Sequence, residues 1–337
     1  MSEAWRIEGA FGLEQLARGA NDAGAPGPGQ ARVKLSAWSL NYRDYLVVTG
    51  GYNPRQALPL IPLSDAVGVV EAVGEGVTRV AVGDRVCPIF AQAWMDGPAG
   101  RREQTSTLGS PNDGVAARAV CLSEHGLVPV PEHLSDREAA SLPCAAVTAW
   151  NALFELGDLC PGQTLLVQGT GGVASFALQL GVLAGAEVIV TSSSADKRAR
   201  AEQEGASMTL DYREDPTWGR TVRKATGGVD HVIEVGGAGT IEQSLTAVKP
   251  GGTVSVIGIL AGAKSEFALT RVLMNAVRMQ GVFVGSRGAF ERMNAAIASA
   301  KLRPILDSES FGFDDLPAAL ERMEQGAHLG KITLGDG

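Results

Sequence analysis

The sequence predicts an α/β protein with two domains, a barrel-like β domain and a doubly wound parallel-sheet domain. The chain has 337 residues, which is long for a single hydrophobic core, so about two domains are expected. Up to about residue 125 it shows short Val-rich segments separated by Gly, Pro and Asp, whereas strand-like and helix-like segments alternate from about residue 150 to 287. The first pattern is typical of antiparallel β structure and the second of a parallel sheet with crossover helices.

The barrel-like domain is predicted from short strands at similar spacing. Ala66–Gly74 is a Val-rich segment, the turn residues Glu75 and Gly76 follow it, and Val80–Val86 forms the next segment. Short strands joined by turns at this spacing favour a barrel, in which closure removes exposed strand edges.

The parallel sheet is predicted from six strand-like segments with helical patterns between them. The strands are expected at Thr164–Gln168, Glu187–Thr191, Met208–Asp211, Val229–Val235, Gly252–Ile257 and Met279–Val284. The helices are expected at Val173–Leu183, Asp196–Glu204 and Thr240–Val248. In such a sheet, ligands bind beyond the carboxyl ends of the strands.

The last fifty residues mix helical and β patterns. Helices are predicted at Phe290–Lys301 and near Leu316–Glu324, and the chain then reaches a β-like end at Lys331–Leu334. A mixed tail after a complete sheet is expected to return to the first domain. The predicted domains are therefore residues 1–125 with 288–337, and residues 126–287.

The segment Ala91–Gly114 is rich in Gly, Pro, Ser, Arg and Asp. A loop of this length without an obvious element is usually functional or disordered. Two interpretations stay open, an ordered lobe or lid beside a functional site and a solvated surface insertion.

Composition narrows the class of protein. Lys+Arg 29 against Asp+Glu 37 gives a net charge of −8, which offers no basic surface for nucleic acid. No apolar run approaches the ~20 residues of a membrane span, and the N-terminus lacks the basic start and apolar core of a signal peptide. The 4 cysteines lie far apart, which suits a reducing compartment. We expect a cytoplasmic protein that acts on a small molecule, with neither nucleic acid nor membrane as a partner.

The strongest functional signal is a glycine turn between a predicted strand and a predicted helix. Gly169 follows the strand, Gly171 and Gly172 complete the turn, and Val173 opens the helix. Glycines allow the tight turn and a close approach of the backbone, and the helix start offers N–H groups and a positive dipole end to a pyrophosphate. The pattern predicts a dinucleotide site that these four residues contact.

The residues after the second predicted strand indicate which dinucleotide binds. An NAD site usually places Asp or Glu there for the ribose 2′-hydroxyl, but this chain has Ser192, followed by Ser193 and, further on, Lys197. Hydroxyls and a cation without an acid suit a 2′-phosphate, so we predict NADP(H). The alternative is that Ser192–Ser194 only caps the following helix.

Further motifs lie along nearly the whole chain. They are Leu40–Leu46 (Leu-Asn-Tyr-Arg-Asp-Tyr-Leu), Gly68–Val77, Val82–Val86, Ala145–Trp150, Lys249–Gly252 and His328–Lys331. With the glycine turn, they resemble the medium-chain dehydrogenase/reductase superfamily, and within it the zinc-free, quinone-oxidoreductase-like branch. The resemblance implies a GroES-like catalytic domain and a Rossmann domain, with the cofactor in the cleft between them.

The resemblance also bears on metal binding. Zinc-dependent relatives have Cys where Asn41 stands and His-Glu where Ser64 and Asp65 stand, while Cys144 occupies the third ligand position. A catalytic zinc needs three protein ligands, so one thiol cannot assemble the site. A structural zinc of those relatives would need four closely spaced cysteines in the region of Ala91–Gly114, which contains none. We therefore predict no bound metal.

A site without zinc favours reduction of a polarised C=C bond or a quinone. The developing charge spreads into an enolate or phenolate, which a hydrogen-bond donor can stabilise, whereas a saturated carbonyl lacks its Lewis acid. The expected function is hydride transfer from NADPH to a quinone or an α,β-unsaturated carbonyl compound.

Three residues of the first motif region are the catalytic candidates. Asn41 would donate a hydrogen bond to cofactor or substrate, and Tyr45 or Tyr52 would donate to the oxyanion or protonate carbon. A similar stretch in the enoyl reductase modules of polyketide synthases, some with a tyrosine proton donor at the position of Tyr45, ranks Tyr45 above Tyr52. The alternative is that both tyrosines are packing residues with satisfied hydroxyls.

The resemblance adds further cofactor contacts. Thr148 would lie near the nicotinamide, Tyr212 near the 2′-phosphate, and Lys331 would close the cleft from the tail. Small or apolar residues at the strand ends would contact the ribose groups and the carboxamide: Val235, Gly236, Ile257, Phe283 and Val284.

Two rival functions stay open. One is a zinc-free NADP-dependent alcohol dehydrogenase or carbonyl reductase. The other is a non-catalytic NADPH-binding protein like the lens crystallins and trafficking proteins of this superfamily. A homodimer is expected in either case, because in this branch the last strand often pairs across a two-fold axis, which hides a strand edge.

Overall fold

The computed structural model describes residues 2–335, which divide into two compact units. One unit contains the chain up to Val147 together with the chain from Gly285 onward, and the other is Thr148–Val284. The strands are β1 (Ser2–Ile7), β2 (Leu16–Asn21), β3 (Gln30–Ser39), β4 (Asp65–Val73), β5 (Arg85–Pro88), β6 (Ala119–Ser123), β7 (Leu127–Pro129), β8 (Thr164–Gln168), β9 (Glu187–Thr191), β10 (Met208–Leu210), β11 (Val229–Glu234), β12 (Val248–Val256), β13 (Arg278–Gly281) and β14 (Thr333–Gly335).

The α-helices of the described residues are distributed over both units. They are α1 (Tyr42–Val48), α2 (Arg101–Gln104), α3 (Asp136–Ala140), α4 (Val147–Trp150), α5 (Gly172–Leu183), α6 (Ala195–Gln203), α7 (Trp218–Thr226), α8 (Ile241–Ala247), α9 (Leu269–Met274), α10 (Arg287–Ala300) and α11 (Leu316–Gln325). Two π-helical turns, Leu142–Ala146 and Asn151–Glu155, flank α4.

The first unit is built on an antiparallel sheet in which β3 is the central strand. The sheet order is β14-β3-β4-β5-β7, and β6 also pairs with β3. Alternate side chains of β3 enter the core, so that Val33 and Leu35 are buried while Lys34 between them is exposed. The tail completes this core, because β14 pairs with β3 and the Phe313 ring packs 4.5 Å from the Trp38 ring, centroid to centroid. The predicted antiparallel β domain is thus observed.

The boundary between the units falls at Val147 rather than at residue 125. Strand β7 pairs with β5, and α3 packs against β3 and β4, so residues 126–147 belong to the first unit. These elements are only three and five residues long, and elements this short give little periodic signal in a sequence.

The second unit is a six-stranded parallel sheet in the order β10-β9-β8-β11-β12-β13. Numbered within the unit this order is 3-2-1-4-5-6, the order of the Rossmann fold, with its ligand-binding crevice expected where the order reverses between β8 and β11. The prediction of a doubly wound parallel sheet is therefore confirmed. All six predicted strands are present, although their ends differ by up to four residues.

Several elements of this unit differ from the prediction, and among them helix α9 was not predicted. Strand β13 ends at Gly281 instead of Val284. Val284 adopts φ +44, outside the extended region, and its carbonyl accepts a hydrogen bond from Asn151 Nδ2 (2.7 Å). Helix α7 was not predicted. It buries Trp218 and Val222, which lie four residues apart on one face, and ends at Gly227 with φ +78.

The segment Ala91–Gly114 is ordered and packs on the first unit. It contains the short helix α2 and buries Trp94 and Leu108. A Cβ at Gly114 would lie 2.0 Å from the Leu63 carbonyl oxygen, so the backbone approaches too closely for any other residue. Of the two interpretations, the structure agrees with the ordered lobe.

Among residues 2–335, we find no helix with the length and apolar character needed to cross a membrane.

Candidate nucleotide site and candidate catalytic cluster

The glycine turn of the second unit leads directly from β8 into α5. Gly169 has φ +77, in the left-handed region that favours glycine, and its N–H donates to the Thr191 carbonyl (2.7 Å). Gly171 is the extended N-cap of α5, and no side chain caps it. The N–H groups of the first turn, which includes Gly172 and Val173, therefore have no side-chain acceptor. A twelve-residue helix that begins this way fits a pyrophosphate.

A buried carboxylate organises the strand ends beside this turn. Glu234, at the end of β11, is 0% exposed and accepts five hydrogen bonds. Its Oε1 accepts from the N–H groups of Gly236 and Gly237 (2.8 and 2.9 Å) and from Thr240 Oγ1 (2.5 Å). Its Oε2 accepts from Gln168 Nε2 (2.7 Å) and Ser244 Oγ (2.5 Å). With five donors, this charge is stabilised without a cation.

This network determines what Val235 and Gly236 can offer a ligand. Both N–H groups donate to Gln168 Oε1 (3.2 and 3.3 Å). Both carbonyls accept from the loop that follows β12, from the N–H groups of Leu260 (3.1 Å) and Ala261 (2.7 Å). Each main-chain polar group of these two predicted contact residues thus already has one protein partner. Sequence reasoning missed Gln168 and Glu234, although polar residues at the ends of two apolar strands were a visible signal.

Ser192 lies where the prediction requires it, directly after β9. It is buried, and its N–H donates to the Leu210 carbonyl (2.9 Å). Thr191 pairs with Leu210 in the sheet, so the next residues, Ser192 and Asp211, follow adjacent strand ends. Ser194 caps α6, accepting from the Lys197 N–H (3.4 Å). The capping alternative therefore holds for Ser194, and Ser192 and the half-buried Ser193 are not part of that cap.

Arg198 is a charged residue at this edge that sequence reasoning missed. Its Nη1 donates to the Ser192 carbonyl (2.7 Å) and to Asp211 Oδ2 (2.6 Å). The Arg213 N–H, and then the Arg198 guanidinium, hold the pKa of Asp211 below its usual range. Lys197 is half-buried, and Tyr212 is 39% exposed beside Asp211. The signal was present in the sequence as Arg directly after Lys197 and Asp directly before Tyr212.

The remaining predicted contacts of the second unit lie at two further places. Thr148 is buried in α4, one turn before Asn151, whose Nδ2 donates to the Val284 carbonyl. Phe283 is half-buried beside Val284, and Ile257, just after β12, is also half-buried.

The residues at the zinc-ligand positions form a closed polar cluster in the first unit. Asp65 is 0% exposed. Its Oδ1 accepts from Ser64 Oγ (2.6 Å), and its Oδ2 accepts from the Cys144 N–H (3.1 Å) and lies 3.8 Å from Lys331 Nζ. Burial raises the pKa of the Cys144 thiol well above its usual range, so this sulfur stays protonated.

Lys331 belongs to this cluster, with its ammonium directed into the first unit. It is 2% exposed, and Nζ donates to the Leu40 carbonyl (2.6 Å) and to Asn41 Oδ1 (2.5 Å). Two of its three N–H donors thus have acceptors, and Asp65 compensates its charge from 3.8 Å. The structure therefore shows an internal role for Lys331, and its contact with the cofactor stays a prediction.

Lys331 also fixes the direction of the Asn41 amide. An ammonium can only donate, so Asn41 must present its oxygen to Lys331 and its nitrogen elsewhere. Asn41 Nδ2 lies 3.4 Å from Ser64 Oγ, a long hydrogen bond that uses one of its two protons. Asn41 is half-buried and keeps the donor capacity that the sequence predicts for it.

Asp44 and Arg43 hold the loops around this cluster. Asp44 Oδ2 accepts from the Asn41 N–H (2.8 Å), and burial raises the pKa of this carboxyl to about 6. Arg43 donates to the carbonyls of Leu108 (3.0 Å) and Ser110 (3.1 Å), and so ties the Ala91–Gly114 segment to α1.

The two tyrosine candidates differ in their surroundings. The Tyr45 hydroxyl donates to the Glu324 carboxylate of α11, and this hydrogen bond raises the pKa of Tyr45 to about 12. Tyr52 is 43% exposed, and its ring lies 4.9 Å from the Arg43 guanidinium. The Tyr45 hydroxyl is therefore committed to a protein partner, which agrees with the packing interpretation for that residue.

Within residues 2–335, no three Cys, His, Asp or Glu side chains gather in a way that could hold a metal ion.

Comparison with known proteins assigns both units to one family. The alcohol dehydrogenase GroES-like domain matches residues 27–132, and the zinc-binding dehydrogenase domain matches residues 172–299. A zinc-type alcohol dehydrogenase-like protein of Schizosaccharomyces pombe is 42% identical over 315 residues, which cover 91% of each chain. The chain belongs to the medium-chain dehydrogenase/reductase family.

This medium-chain dehydrogenase/reductase also resembles solved structures over its whole length. A candidate alcohol dehydrogenase from Sinorhizobium meliloti 1021 has a TM-score of 0.92 at 39% identity, covering 99% of this chain and 98% of that one. An NAD-dependent alcohol dehydrogenase has a TM-score of 0.90 at 30% identity, with 100% of both chains covered. The protein is an oxidoreductase of the alcohol dehydrogenase-like class, and the predicted combination of a GroES-like and a Rossmann domain is confirmed.

Proposed function

We propose that this oxidoreductase binds NADPH, has no catalytic zinc, and reduces a quinone or an α,β-unsaturated carbonyl compound in the cytoplasm. The observation that carries the proposal is the closed cluster of Asp65, Lys331 and Asn41 at the positions where zinc-dependent relatives hold their metal.

The donor set of this cluster does not fit a zinc ion. Asn41 and Ser64 replace a thiolate and an imidazole as neutral oxygen donors, which leaves Cys144 as the one thiol among these positions. Both Asp65 oxygens already accept hydrogen bonds, and a lysine ammonium lies 3.8 Å from one of them. A divalent cation would have to displace or deprotonate that ammonium, so the proposed mechanism uses no metal.

The second unit fits a nicotinamide dinucleotide, which supplies the hydride when it is bound. The uncapped first turn of α5 suits the pyrophosphate. At the ribose end, Ser192 stands in place of an acid, and Arg198 compensates the charge of the adjacent Asp211. A 2′-phosphate needs donors and no unbalanced negative charge, so these residues favour NADPH.

Asn41 is the residue proposed to stabilise the developing oxyanion. Because Lys331 holds its oxygen, its nitrogen is the group left to donate. An amide donor suffices for an enolate or phenolate, whose charge is delocalised, but does not replace a Lewis acid for a localised alkoxide.

Tyr52 is proposed over Tyr45 as the group that delivers a proton. Its hydroxyl is on an exposed side chain, whereas that of Tyr45 donates to Glu324. If so, Tyr52→Phe lowers kcat by about tenfold to a thousandfold, and Tyr45→Phe leaves kcat within a few-fold. Steady-state kinetics on both variants measure this, and the opposite ranking would restore Tyr45 as the donor.

A second candidate function is a zinc-free carbonyl reductase or alcohol dehydrogenase. The observation in its favour is that the relatives named above carry the name alcohol dehydrogenase. Asn41 would then have to stabilise an alkoxide alone.

An NADPH-oxidation panel tests the proposal and separates it from its rivals. Quinones, enones, alkenals and saturated ketones are compared with NADPH and NADH, and the purified protein is analysed for bound metal. We expect turnover of quinones or enones, preference for NADPH, and no stoichiometric zinc. One zinc per chain refutes the zinc-free proposal, turnover of ketones alone favours the second function, and tight NADPH binding without any turnover indicates a binding protein.

We also propose a homodimer formed through the free edge of β13. That strand ends the sheet order, and next to it in sequence α9 exposes Leu269, Leu273 and Met274 by 72%, 77% and 79%. Large apolar side chains this exposed mark an association surface, and strand pairing would cover the edge. Leu273→Asp should therefore convert the dimer to a monomer in light scattering, whereas a monomeric wild-type protein would refute this assembly.

A further inference from the structure

The sheet edge proposed to bind the 2′-phosphate contains an acid, Asp211, which lies outside the usual position of a ribose-binding acid. Asp211 follows β10, the strand that pairs with β9, and Ser192 follows β9. The two residues after the register pair Thr191 and Leu210 therefore lie side by side at the carboxyl edge of the sheet. A ribose-binding acid of an NAD site stands at the end of the second strand. Here the acid is displaced by one strand.

Asp211 is ionised and held in place by its neighbours. Oδ1 accepts from the N–H groups of Arg213 (2.9 Å) and Glu214 (3.3 Å), and these hydrogen bonds help to lower its pKa. Oδ2 accepts from Arg198 Nη1 (2.6 Å). The side chain is 11% exposed, so solvent screens its charge only in part.

Arg198 links Asp211 to Ser192, the residue that follows β9. The same Nη1 that pairs with Asp211 also donates to the Ser192 carbonyl (2.7 Å), and the Arg198 side chain is 20% exposed. One guanidinium thus compensates the acid and fixes the backbone of the residue that replaces the usual ribose acid. A charge-assisted pair in this setting is stronger than a fully exposed one.

We propose that Arg198 determines the cofactor preference by masking Asp211. With Arg198 in place the Asp211 charge is compensated, and the edge accepts a 2′-phosphate. Without Arg198, the Asp211 carboxylate repels that phosphate and offers an acceptor that suits a ribose 2′-hydroxyl. This inference rests on the proposed use of NADPH and adds the residue pair that sets it.

The test is a double-mutant cycle read out by cofactor binding. Dissociation constants for NADPH and NADH are measured by fluorescence titration without any acceptor, on the wild type, Arg198→Met, Asp211→Asn and the double variant. We expect Arg198→Met to lower the NADPH-to-NADH preference by about tenfold or more, since the Asp211 carboxylate then repels the 2′-phosphate. The double variant should return to within about threefold of the wild-type ratio, because the acid to be masked is gone.

Arg200→Met is the matched control. Arg200 lies on the same helix but is 50% exposed and pairs with Glu204 (2.5 Å). This variant removes the same charge from α6 without touching Asp211, so the ratio should stay within about twofold of wild type.

The outcomes separate this inference from the proposed function. An unchanged ratio in Arg198→Met, an equal loss of both cofactors, or a double variant that fails to recover would each overturn the masking role. A wild-type protein that binds NADH more tightly than NADPH refutes the proposed cofactor instead. Absence of turnover with every acceptor affects only the proposed reaction, because the binding ratio does not depend on it.

Discussion

Two buried polar clusters, one in each unit, differ in how their charges are compensated. In the first unit, the Asp65 carboxylate lies 3.8 Å from the Lys331 ammonium, which also donates to the Asn41 amide oxygen. In the second unit, the Glu234 carboxylate is stabilised by five neutral donors, and the uncapped N–H groups at the start of α5 have no side-chain acceptor.

The comparison shows that a buried carboxylate can be compensated in two ways, by a cation in the first unit and by neutral donors in the second. A buried carboxylate that already lies beside an ammonium is disfavoured as a ligand of a divalent cation. In the second unit, backbone, hydroxyl and amide donors compensate the charge of Glu234. The N–H groups at the start of α5 keep no side-chain acceptor and suit an anion. The first cluster therefore supports a metal-free proposal, and the second supports a nucleotide.

The largest expected effect is the loss of stability on removing the Lys331 ammonium from the closed cluster of the first unit. Lys331→Met leaves the buried Asp65 charge and the Asn41 oxygen without a cation, so the free energy of unfolding should fall by about 3–5 kcal/mol. Urea denaturation measures this. The double variant Lys331→Met with Asp65→Asn should recover most of the loss. A single variant within about 1 kcal/mol of wild type would show that the cluster is not held together by this pair.

A carboxylate at the start of α5 should weaken nucleotide binding without destabilising the fold. Gly171→Asp caps α5 and suits its dipole, so the melting temperature should not fall. The same charge repels a pyrophosphate, so the dissociation constant for NADPH should rise by about thirtyfold or more.

Gly171→Asn is its neutral control, because it caps the helix equally well. Its affinity for NADPH should remain much nearer to wild type. If the Asp and Asn variants bind NADPH equally, charge at this helix start does not govern cofactor binding.

The smallest expected effect is a pH dependence of the unfolding free energy, caused by Asp44 beside the closed cluster. Burial raises the pKa of Asp44 from 3.8 to about 6. The folded state therefore holds this proton more tightly, and the contribution of Asp44 to stability is greatest below pH 4 and is lost as pH rises towards 6. Relative to Asp44→Asn, the wild type should lose about 2 kcal/mol of unfolding free energy across this range. A constant difference between pH 4 and pH 7 would contradict the burial effect.

Much of the second unit could be predicted from the sequence because its signals are local. A strand, a glycine turn and a helix follow one another within twenty residues, and each has its own local pattern. Helix α7 was missed because only Trp218 and Val222 mark its buried face. The boundary at Val147 was missed because β7 and α3 are short and are assigned by pairing and packing with β3, β4 and β5.

By itself, the sequence determined the two-domain fold, the dinucleotide turn and the residues that replace the zinc ligands, since these depend on residue type and spacing. Only the tertiary structure decided that the Lys331 ammonium meets Asp65 and Asn41, that Tyr45 donates to Glu324, and that Arg198 covers Asp211. Two of these associations join residues more than 250 positions apart, and all of them depend on side-chain direction. Pairing of charges across a fold is set by packing, which local patterns do not encode.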